Sequence, residues 1–434
     1  MSTTPLTLSI AGQPTPITLP QVPGTRGHVG VDIRELNHSG FCSYDPGFAN
    51  TAGCQSAISW IDTENSVLLH RGYPVDQLAR QCDFLEVAYI MLRGDAPDEA
   101  SYQTFRETIT RHTLVHEQIA RMCSGFRRDS HPMALMCALV GALAAFYHDV
   151  LDVENPQHRA LAATRLLSKM PTIAAMSYKH TIEQPAAYPR NDLSYAGNFL
   201  QMLFAIPAEK YVLNPVIEQA MNQILVLHAD HGQCASTTTV RAAGSSGANL
   251  FACVAAGLAS LWGPMHGGAN ESSMRMLEEI ESVDQVPAFL RQAKRDPQAF
   301  RRLGFGNSRY RHRDPRADIL RETSHRVLAE VGMSDRLLQV AMALEDVALT
   351  DPYFVENGLS PSVDFYTAVI LKAMNLPSSM FAVVTAVGRT VGWVAHWNEM
   401  HQAPLTIYRP RQIYVGEGYR DYVSRRGERS TGPQ

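Results

Sequence analysis

The chain has 434 residues, of which 45% are hydrophobic and 18% charged, an ordinary balance for a globular protein and enough for two or three domains. This composition excludes a disordered chain, and seven cysteines without a CxxC pair exclude a disulfide scaffold or a zinc ribbon. Lys and Arg number 38 against 42 Asp and Glu, which gives a net charge of -4. Without an overall positive field, we expect no nucleic-acid or membrane partner, and an anionic ligand must be bound by local arginines.

The first twenty residues lack the basic and continuously apolar regions of a secretory signal, and they contain no arginine of a mitochondrial presequence. This pattern predicts a cytoplasmic protein. The longest charge-free apolar runs, residues 134–147 and 250–262, are shorter than the roughly 20 residues that span a bilayer. We therefore predict that both are buried core helices.

Residues 1–40 alternate apolar and polar positions between glycines and prolines, a pattern typical of short strands and turns. It predicts a small β-rich N-terminal section over residues 1–50. From about Asp83 onward the pattern changes to helices, which dominate the rest of the chain. Ser130 as the N-cap, with Pro132 in the first turn, predicts a helix over residues 133–147.

Two further helix starts are predicted from polar residues that precede apolar periodicity. Asn270 is expected to cap the helix that follows it, and Asp364 to cap a helix over residues 365–374. Between them, residues 296–326 are rich in arginine, glycine and proline. This composition indicates a basic loop that enters a helix.

The sequence contains no standard phosphate-binding loop. Gly304 and Gly306 have no third glycine at the spacing of the dinucleotide fingerprint, and no GxxxxGK[ST] motif occurs. His228 and His231 are predicted on one helix face, a spacing that fits either a buried hydrogen-bonding pair or two metal ligands. Since no third ligand is apparent, we predict no metal.

Other candidate residues allow two interpretations each. His266 lies among glycines before a helix, as either a turn residue or a ring presented to a ligand. Asp364 is either an N-cap or a general base. Arg316, Arg389 and Arg409 are either paired guanidiniums or anion ligands, because an unpaired buried charge is costly. Together they indicate a helical enzyme that binds a small polycarboxylate and removes a proton next to a carbonyl.

Several motifs closely resemble the citrate synthase family, in particular its bacterial hexameric (type II) branch. They are His228-Ala-Asp-His231, Ala243-Gly-Ser-Ser-Gly-Ala-Asn249, Trp262-Gly-Pro-Met-His-Gly-Gly-Ala-Asn270, Asp314-Pro-Arg-Ala317 and Val363-Asp-Phe-Tyr366. The resemblance implies a mainly α, two-domain fold and a homodimer or hexamer. It implies a large helical domain over 51–267 plus 373–434, a small helical domain over 268–372, and a cleft that closes on the first substrate.

The resemblance also implies roles for single residues. Asp364 matches the base that removes a proton from acetyl-CoA, and His266 matches the residue that hydrogen-bonds the thioester oxygen. Matches to oxaloacetate-binding positions are found at His231, Arg316 and Arg389, while Arg409 matches the arginine contributed by a partner subunit. The segment that matches the CoA-binding loop contains Arg301, Arg302, Gly304 and Gly306. CoA enters as a thioester substrate, so no cofactor is expected.

The chain departs from the family pattern at a few positions. Asn307 stands in place of a histidine that polarises the ketone of oxaloacetate, and it cannot carry the proton. Thr385 replaces a phenylalanine, and Ser362 replaces an asparagine, so we predict that both belong to an acyl pocket. Ala208 replaces a cysteine linked to NADH regulation.

These departures leave several functions open. The first is citrate synthesis from acetyl-CoA, with neutral drift at the pocket wall. The second is an alkylcitrate synthase that takes a longer acyl-CoA. The third, favoured by Asn307, is a catalytically silent paralogue that binds CoA and a dicarboxylate and acts as an assembly or regulatory subunit.

Overall fold

The structure is a computed structural model that describes residues 4–12, 15–295, 304–305, 310, 313–332 and 335–422. Among the described residues, helices account for 56% and strands for 6%. The predicted mainly α fold with a few small N-terminal sheets is therefore confirmed. Contacts between residues divide the chain into two units. The predicted domain boundaries at 50, 267 and 372 stay a prediction.

The first unit consists of the described parts of residues 1–24, 28–52 and 408–434. It holds two antiparallel pairs of strands, which are β1 Leu6–Leu8 with β2 Ile17–Leu19 and β3 Gln21–Val22 with β4 Gly30–Val31. Leu6 pairs with Leu19, as the alternation of apolar residues requires on one face. Residues 408–422 have no regular secondary structure and expose several tyrosines.

The second unit, residues 25–27 and 53–407, contains a small sheet and the helices. The sheet is antiparallel in the order β5 Ser59–Asp62, β6 Val67–His70, β7 Tyr73–Pro74. The helices are α1 Val75–Gln81, α2 Phe84–Arg93, α3 Glu99–Thr110, α4 Glu117–Cys123, α5 Pro132–Phe146, α6 Pro156–Thr181, α7 Tyr195–Phe204, α8 Pro215–Leu227, α9 Ala235–Gly244, α10 Leu250–Leu261, α11 Ala269–Glu279, α12 Val286–Ala293, α13 Pro315–Val331, α14 Arg336–Thr350, α15 Pro352–Glu356, α16 Val363–Ala373 and α17 Phe381–Met400.

Three predicted helix caps are wrong by one or two residues. His131, and not Ser130, caps α5, because its ring Nδ1 accepts from the backbone N–H of Met133 at 3.1 Å. Ser362, and not Asp364, caps α16, which makes Asp364 the second residue of that helix. Helix α11 begins after Gly268 without a side-chain cap. The Asn270 side chain is used elsewhere, in the candidate site.

The core of the second unit is built around apolar helices. The runs predicted as buried core helices form α5 and α10, which pack against each other, and this prediction is confirmed. By length and composition alone, the segment Ser378–Met400 is also apolar enough to cross a membrane, but 89% of that stretch is buried inside the protein. It contains α17, which packs against α6, α8, α9 and α10 as the central core helix.

Two glycines let α17 lie directly against the C-terminal end of α8. A Cβ on Gly388 would lie 2.8 Å from the carbonyl oxygen of Leu225. A Cβ on Gly392 would overlap the carbonyl oxygen of Ala229 and lie 2.7 Å from Asp230 Oδ1. Only residues without a Cβ permit this approach of backbone to backbone. The glycines therefore place Arg389, which lies between them, beside the end of α8.

This close approach predicts that Gly392→Ala destabilises the protein. The added methyl group has no space, so we expect the free energy of unfolding to fall by about 1–3 kcal/mol. Gly141→Ala is the matched control, because that glycine lies inside α5 and its nearest non-local atom, Ala255 Cβ, is at 3.7 Å. There the better helix propensity of alanine should raise stability by up to about 1 kcal/mol. Urea unfolding of both variants measures the difference, and equal gains would contradict the close approach.

Candidate active site

The site is built on the C-terminal end of α8, where two buried arginines meet. Arg316 Nη1 donates to the carbonyl oxygen of Leu227 at 3.3 Å, and Arg389 Nε donates to that of His228 at 2.7 Å. The last carbonyls of a helix lack intrahelical partners and form the negative end of its dipole, so cations are favoured there. The helix end therefore holds two positive charges in the interior.

The two arginines differ in their counter-charges. Arg316 makes a two-fold contact with Asp314, with Nε to Oδ1 at 3.0 Å and Nη2 to Oδ2 at 2.7 Å. Burial lowers the pKa of Arg316, but the adjacent Asp314 carboxylate outweighs it and the pKa is raised overall. Within the described residues, Arg389 forms no ion pair with a carboxylate. Its charge is therefore open to an anionic ligand.

The side chain of Cys234 contacts the Arg389 guanidinium, although the sequence analysis did not select this residue. Arg389 Nη1 donates to Cys234 Sγ at 3.2 Å, and the hydroxyl groups of Ser236 and Thr237 lie 3.4 and 3.3 Å from the same sulfur. Burial raises the pKa of the thiol, but Arg389 and the neighbouring His266 outweigh it and hold the pKa of Cys234 well below its usual value. The Arg389 guanidinium therefore favours the ionised form of this thiol.

His266 is oriented by a serine and a tryptophan that the sequence analysis also missed. Trp393 Nε1 donates to Ser236 Oγ at 3.2 Å, which leaves the hydroxyl hydrogen free to bond His266 Nε2 at 2.8 Å. The backbone N–H of Ser236 also points at Nε2, at 3.4 Å. Because Nε2 accepts both bonds, we assign the ring hydrogen to Nδ1. His266 thus presents an Nδ1–H donor.

Asp364 lies in the first turn of α16, held by the Ser362 cap. The Ser362 hydroxyl accepts from the backbone N–H groups of Asp364 at 3.1 Å and Phe365 at 3.4 Å. Burial raises the pKa of the Asp364 carboxyl above its usual value, although Arg316 and other positive groups oppose the shift. A carboxylate with a raised pKa is a stronger base than an ordinary aspartate.

The two histidines predicted on one helix face are not on a helix together. Helix α8 ends at Leu227, with His228 as its C-cap, and His231 lies in the connection to α9. His228 Nδ1 bonds the carbonyl oxygen of Ile224 at 2.8 Å, and His231 Nε2 lies 3.2 Å from the Tyr310 hydroxyl. Burial, with Arg316 adding to it, lowers the pKa of His231 well below its usual value. His231 is therefore a neutral ring near the two arginines.

Asn270 and Thr385 complete the arrangement around the base. Asn270 is fully buried and lies between Asp364 and Thr385, which is 4% exposed. Signals for Ser236, Trp393, Asn270 and Cys234 were weak in the sequence, because each acts through a partner that is distant along the chain.

Of the remaining predicted residues, the structure describes Gly304 and Arg409. The carbonyl oxygen of Gly304 accepts from the backbone N–H of Ser362 at 3.0 Å, which joins this loop to the start of α16. Gly304 has φ of +93°, and a Cβ there would overlap Ser273 Oγ. Four other predicted positions lie outside the described residues, namely Arg301, Arg302, Gly306 and Asn307. Arg409 is exposed in the first unit, and its role stays a prediction.

A buried imidazole next to the site predicts acid sensitivity. His70 is fully buried, and burial, with Arg316 and Arg389 adding to it, lowers its pKa to about 4. The unfolded chain takes up this proton near pH 6.5, so between these values the unfolded state binds more protons. The free energy of unfolding should therefore fall, by up to about 1.4 kcal/mol per pH unit from this group, as the pH drops from 6.5 to 4.

His70→Gln tests this, because it removes the titrating group. Urea unfolding at about pH 7.5, 6 and 5 should show a shallower loss of stability for the variant than for the unmodified chain. His28→Gln is the control, since that ring is exposed. Identical pH slopes for all three proteins would mean that His70 binds the same number of protons in the folded and unfolded states, which contradicts the lowered pKa.

The geometry can be compared with known proteins. Residues 47–411 match the family model described as citrate synthase, C-terminal domain. The citrate synthase of Pyrobaculum aerophilum superposes with a TM-score of 0.79 at 32% identity, over 86% of this chain and 92% of that one. The enzyme of Thermotoga maritima MSB8 gives 0.73 at 28% identity, over 87% and 97%.

A third solved structure carries ligands. It is the citrate synthase of Thermoplasma acidophilum in a ternary complex with carboxymethyl coenzyme A and oxaloacetate, with a TM-score of 0.79 and 26% identity over 88% of this chain and 99% of that one. The predicted bacterial hexameric branch stays a prediction. Since the family model matches well over half of the sequence, the chain belongs to the citrate synthase family.

Proposed function

We propose that the protein condenses an acyl-CoA with oxaloacetate and then hydrolyses the thioester, giving citrate or an alkylcitrate and free CoA. The observation that carries this proposal is a raised-pKa carboxylate, Asp364, in one site with the Nδ1–H donor of His266 and the buried charge of Arg389. The relative from Thermoplasma acidophilum binds a CoA analogue together with oxaloacetate, and we extend both ligand classes to this chain.

In the proposed reaction, enolisation of the thioester is divided between a base and a hydrogen-bond donor. Asp364 takes a proton from the carbon next to the thioester carbonyl, while His266 Nδ1–H donates a hydrogen bond to the carbonyl oxygen. The developing negative charge is thereby stabilised as it forms. The enol carbon then attacks the ketone carbon of oxaloacetate, and the ketone oxygen takes up a proton to become a hydroxyl group. Water then cleaves the resulting thioester, which gives a carboxylate and the free CoA thiol. The CoA thioester is a substrate, and the proposal includes no metal or other cofactor.

We assign oxaloacetate binding to the part of the site that contains Arg316 and Arg389. A carboxylate of oxaloacetate takes the place of the Cys234 sulfur as the partner of Arg389, because a guanidinium binds a carboxylate through two hydrogen bonds. Arg316 and the neutral His231 bind the rest of the molecule. The charge of Arg316 is already balanced by Asp314, so Arg389 should dominate the affinity.

The acyl-binding residues are assigned from two departures of the sequence from the family pattern. The exchange of phenylalanine for Thr385 favours a longer acyl group than acetyl. Thr385 is nevertheless well packed, and Ser362 acts as a helix cap. Their assignment to an acyl pocket stays a prediction.

A series of acyl-CoAs from acetyl to dodecanoyl, each incubated with oxaloacetate, tests the function by thiol release and mass spectrometry of the product. We expect turnover with at least one member. Asp364→Asn should reduce turnover by about 10²- to 10⁴-fold, because it removes the base. Asp346→Asn is the matched control, since that carboxylate is exposed on α14 and should have no effect.

The second candidate is the catalytically silent paralogue, favoured by Asn307 in place of the family histidine. It predicts no thiol release with any acyl-CoA, together with oxaloacetate binding detectable by calorimetry. Turnover above that of Asp364→Asn would rule it out.

A second prediction concerns Arg409 as a residue donated to the site of a partner subunit. Arg409→Gln and Asp364→Asn should each be inactive alone. If sites are shared in a two-fold dimer, unfolding and refolding an equal mixture creates one intact site in each mixed dimer, which restores about a quarter of the activity. No recovery, with mixed dimers demonstrated by mass spectrometry, would place Arg409 and Asp364 in the same subunit's site.

A further inference from the structure

Three polar side chains from three different helices form a continuous chain that ends at the base. Asn270 on α11 lies between Asp364 on α16 and Thr385 on α17. With its amide nitrogen toward the carboxylate, Asn270 donates to Asp364 Oδ1 at 2.6 Å and to the backbone carbonyl oxygen of Asp364 at 3.1 Å. Its amide oxygen then accepts from Thr385 Oγ1 at 3.3 Å.

The surroundings determine this amide orientation. The opposite orientation would place the amide oxygen against two oxygen atoms of Asp364, which are acceptors. Asn270 is 0% exposed and Thr385 is 4% exposed, so water cannot easily replace either bond. The Thr385 hydroxyl can both donate and accept, so it fits either orientation of the amide. Only the orientation with the amide nitrogen toward Asp364 gives all three side chains matching donors and acceptors.

The Thr385 hydroxyl behaves differently from another buried threonine on the same helix. Thr390 donates to the carbonyl oxygen of Ala386, four residues earlier, at 2.7 Å, which is the usual bond of a helical threonine. Thr385 instead reaches across to α11. Its hydroxyl is therefore used between helices.

We propose that Thr385 and Asn270 are positioning residues, which hold the Asp364 carboxylate so that Oδ1 is occupied by the Asn270 amide and Oδ2 takes the substrate proton. This inference rests on the proposed function, in which Asp364 is the base. It gives Thr385 a role other than the wall of an acyl pocket.

The hydrogen-bond chain has an electrostatic consequence. A donor to the ionised carboxylate favours the charged form, which opposes the effect of burial on the pKa of Asp364. When the Thr385 hydroxyl is lost, the buried amide oxygen of Asn270 has no donor. The side chain can then shift toward another donor, and its bond to Asp364 Oδ1 weakens. The carboxyl then protonates at higher pH, and the base is less available at acidic pH.

The test compares Thr385→Val, which keeps the shape and removes the hydroxyl, with Thr385→Ser, which keeps the hydroxyl. In Thr385→Val, the acidic limb of the kcat–pH profile should move up by about half to one pH unit, with KM for oxaloacetate nearly unchanged. Thr385→Ser should restore the unmodified profile. Thr390→Val is the matched control and should not move the limb. If the acidic limbs of the kcat–pH profiles of Thr385→Val and Thr390→Val coincide, Thr385 has a packing role only.

The role of Asn270 is tested by its coupling to Thr385. Asn270→Ala should move the acidic limb by about one pH unit or more, because the direct donor to a charged group is lost. The double variant should shift no further than Asn270→Ala alone, since both act through one hydrogen bond. If the shifts of the acidic limb add in the double variant, the two residues act independently, and the proposed hydrogen-bond chain is wrong. Asn270→Ala also carries the measurement if Thr385→Val does not fold.

A readout without turnover separates this inference from the proposed function. Infrared difference spectroscopy follows protonation of the Asp364 carboxyl, which is identified by its loss in Asp364→Asn. A higher titration midpoint in Thr385→Val supports the positioning role even if no acyl-CoA is turned over. Normal turnover with an unchanged midpoint overturns the positioning role and leaves the proposed function intact.

Discussion

The C-terminal end of α8 holds two guanidiniums in the protein interior, and the rest of the site is arranged around that charge. Each arginine is stabilised by a helix carbonyl that would otherwise lack a partner. Arg316 is paired with its own carboxylate, whereas Arg389 forms no such ion pair among the described residues and contacts the Cys234 sulfur. Because a buried charge is costly without a well-matched counter-ion, the site gains most from an anion that reaches Arg389. The glycines of α17 make this possible, since they bring its backbone against the end of α8.

The acid and base of the site are held by different means. Ser236 and Trp393 fix the ring of His266 through a chain of hydrogen bonds that also sets its tautomer. Asp364 is held at its backbone by the helix cap and at its carboxylate by Asn270. Both groups are thus oriented before substrate binds, which is the condition for efficient electrostatic catalysis. The orienting residues come from α9, α11 and α17, so the site depends on how these helices pack.

The sequence predicted the helical fold, the buried helices α5 and α10, and the family, because periodicity and motifs are local or continuous signals. It located helix starts only to within one or two residues, since His131 and Ser362 compete with equally suitable neighbours. It missed the contact of Cys234 with Arg389, which are 155 positions apart, and the bond between Asn270 and Thr385, which are 115 apart. Such contacts are determined by how the helices pack. The periodicity of a single sequence does not show which distant residues will meet.

The cap at Ser362 changes how divergence at that position is understood. Serine and asparagine are nearly equal as N-caps, because each offers an oxygen to the same backbone N–H groups. An exchange between them leaves the first turn of α16, and therefore the backbone of Asp364, in place. The geometry of the helix start therefore does not depend on which of the two residues is present. An asparagine at this position would add an amide nitrogen that serine lacks, so the two residues differ in what they offer beyond the cap.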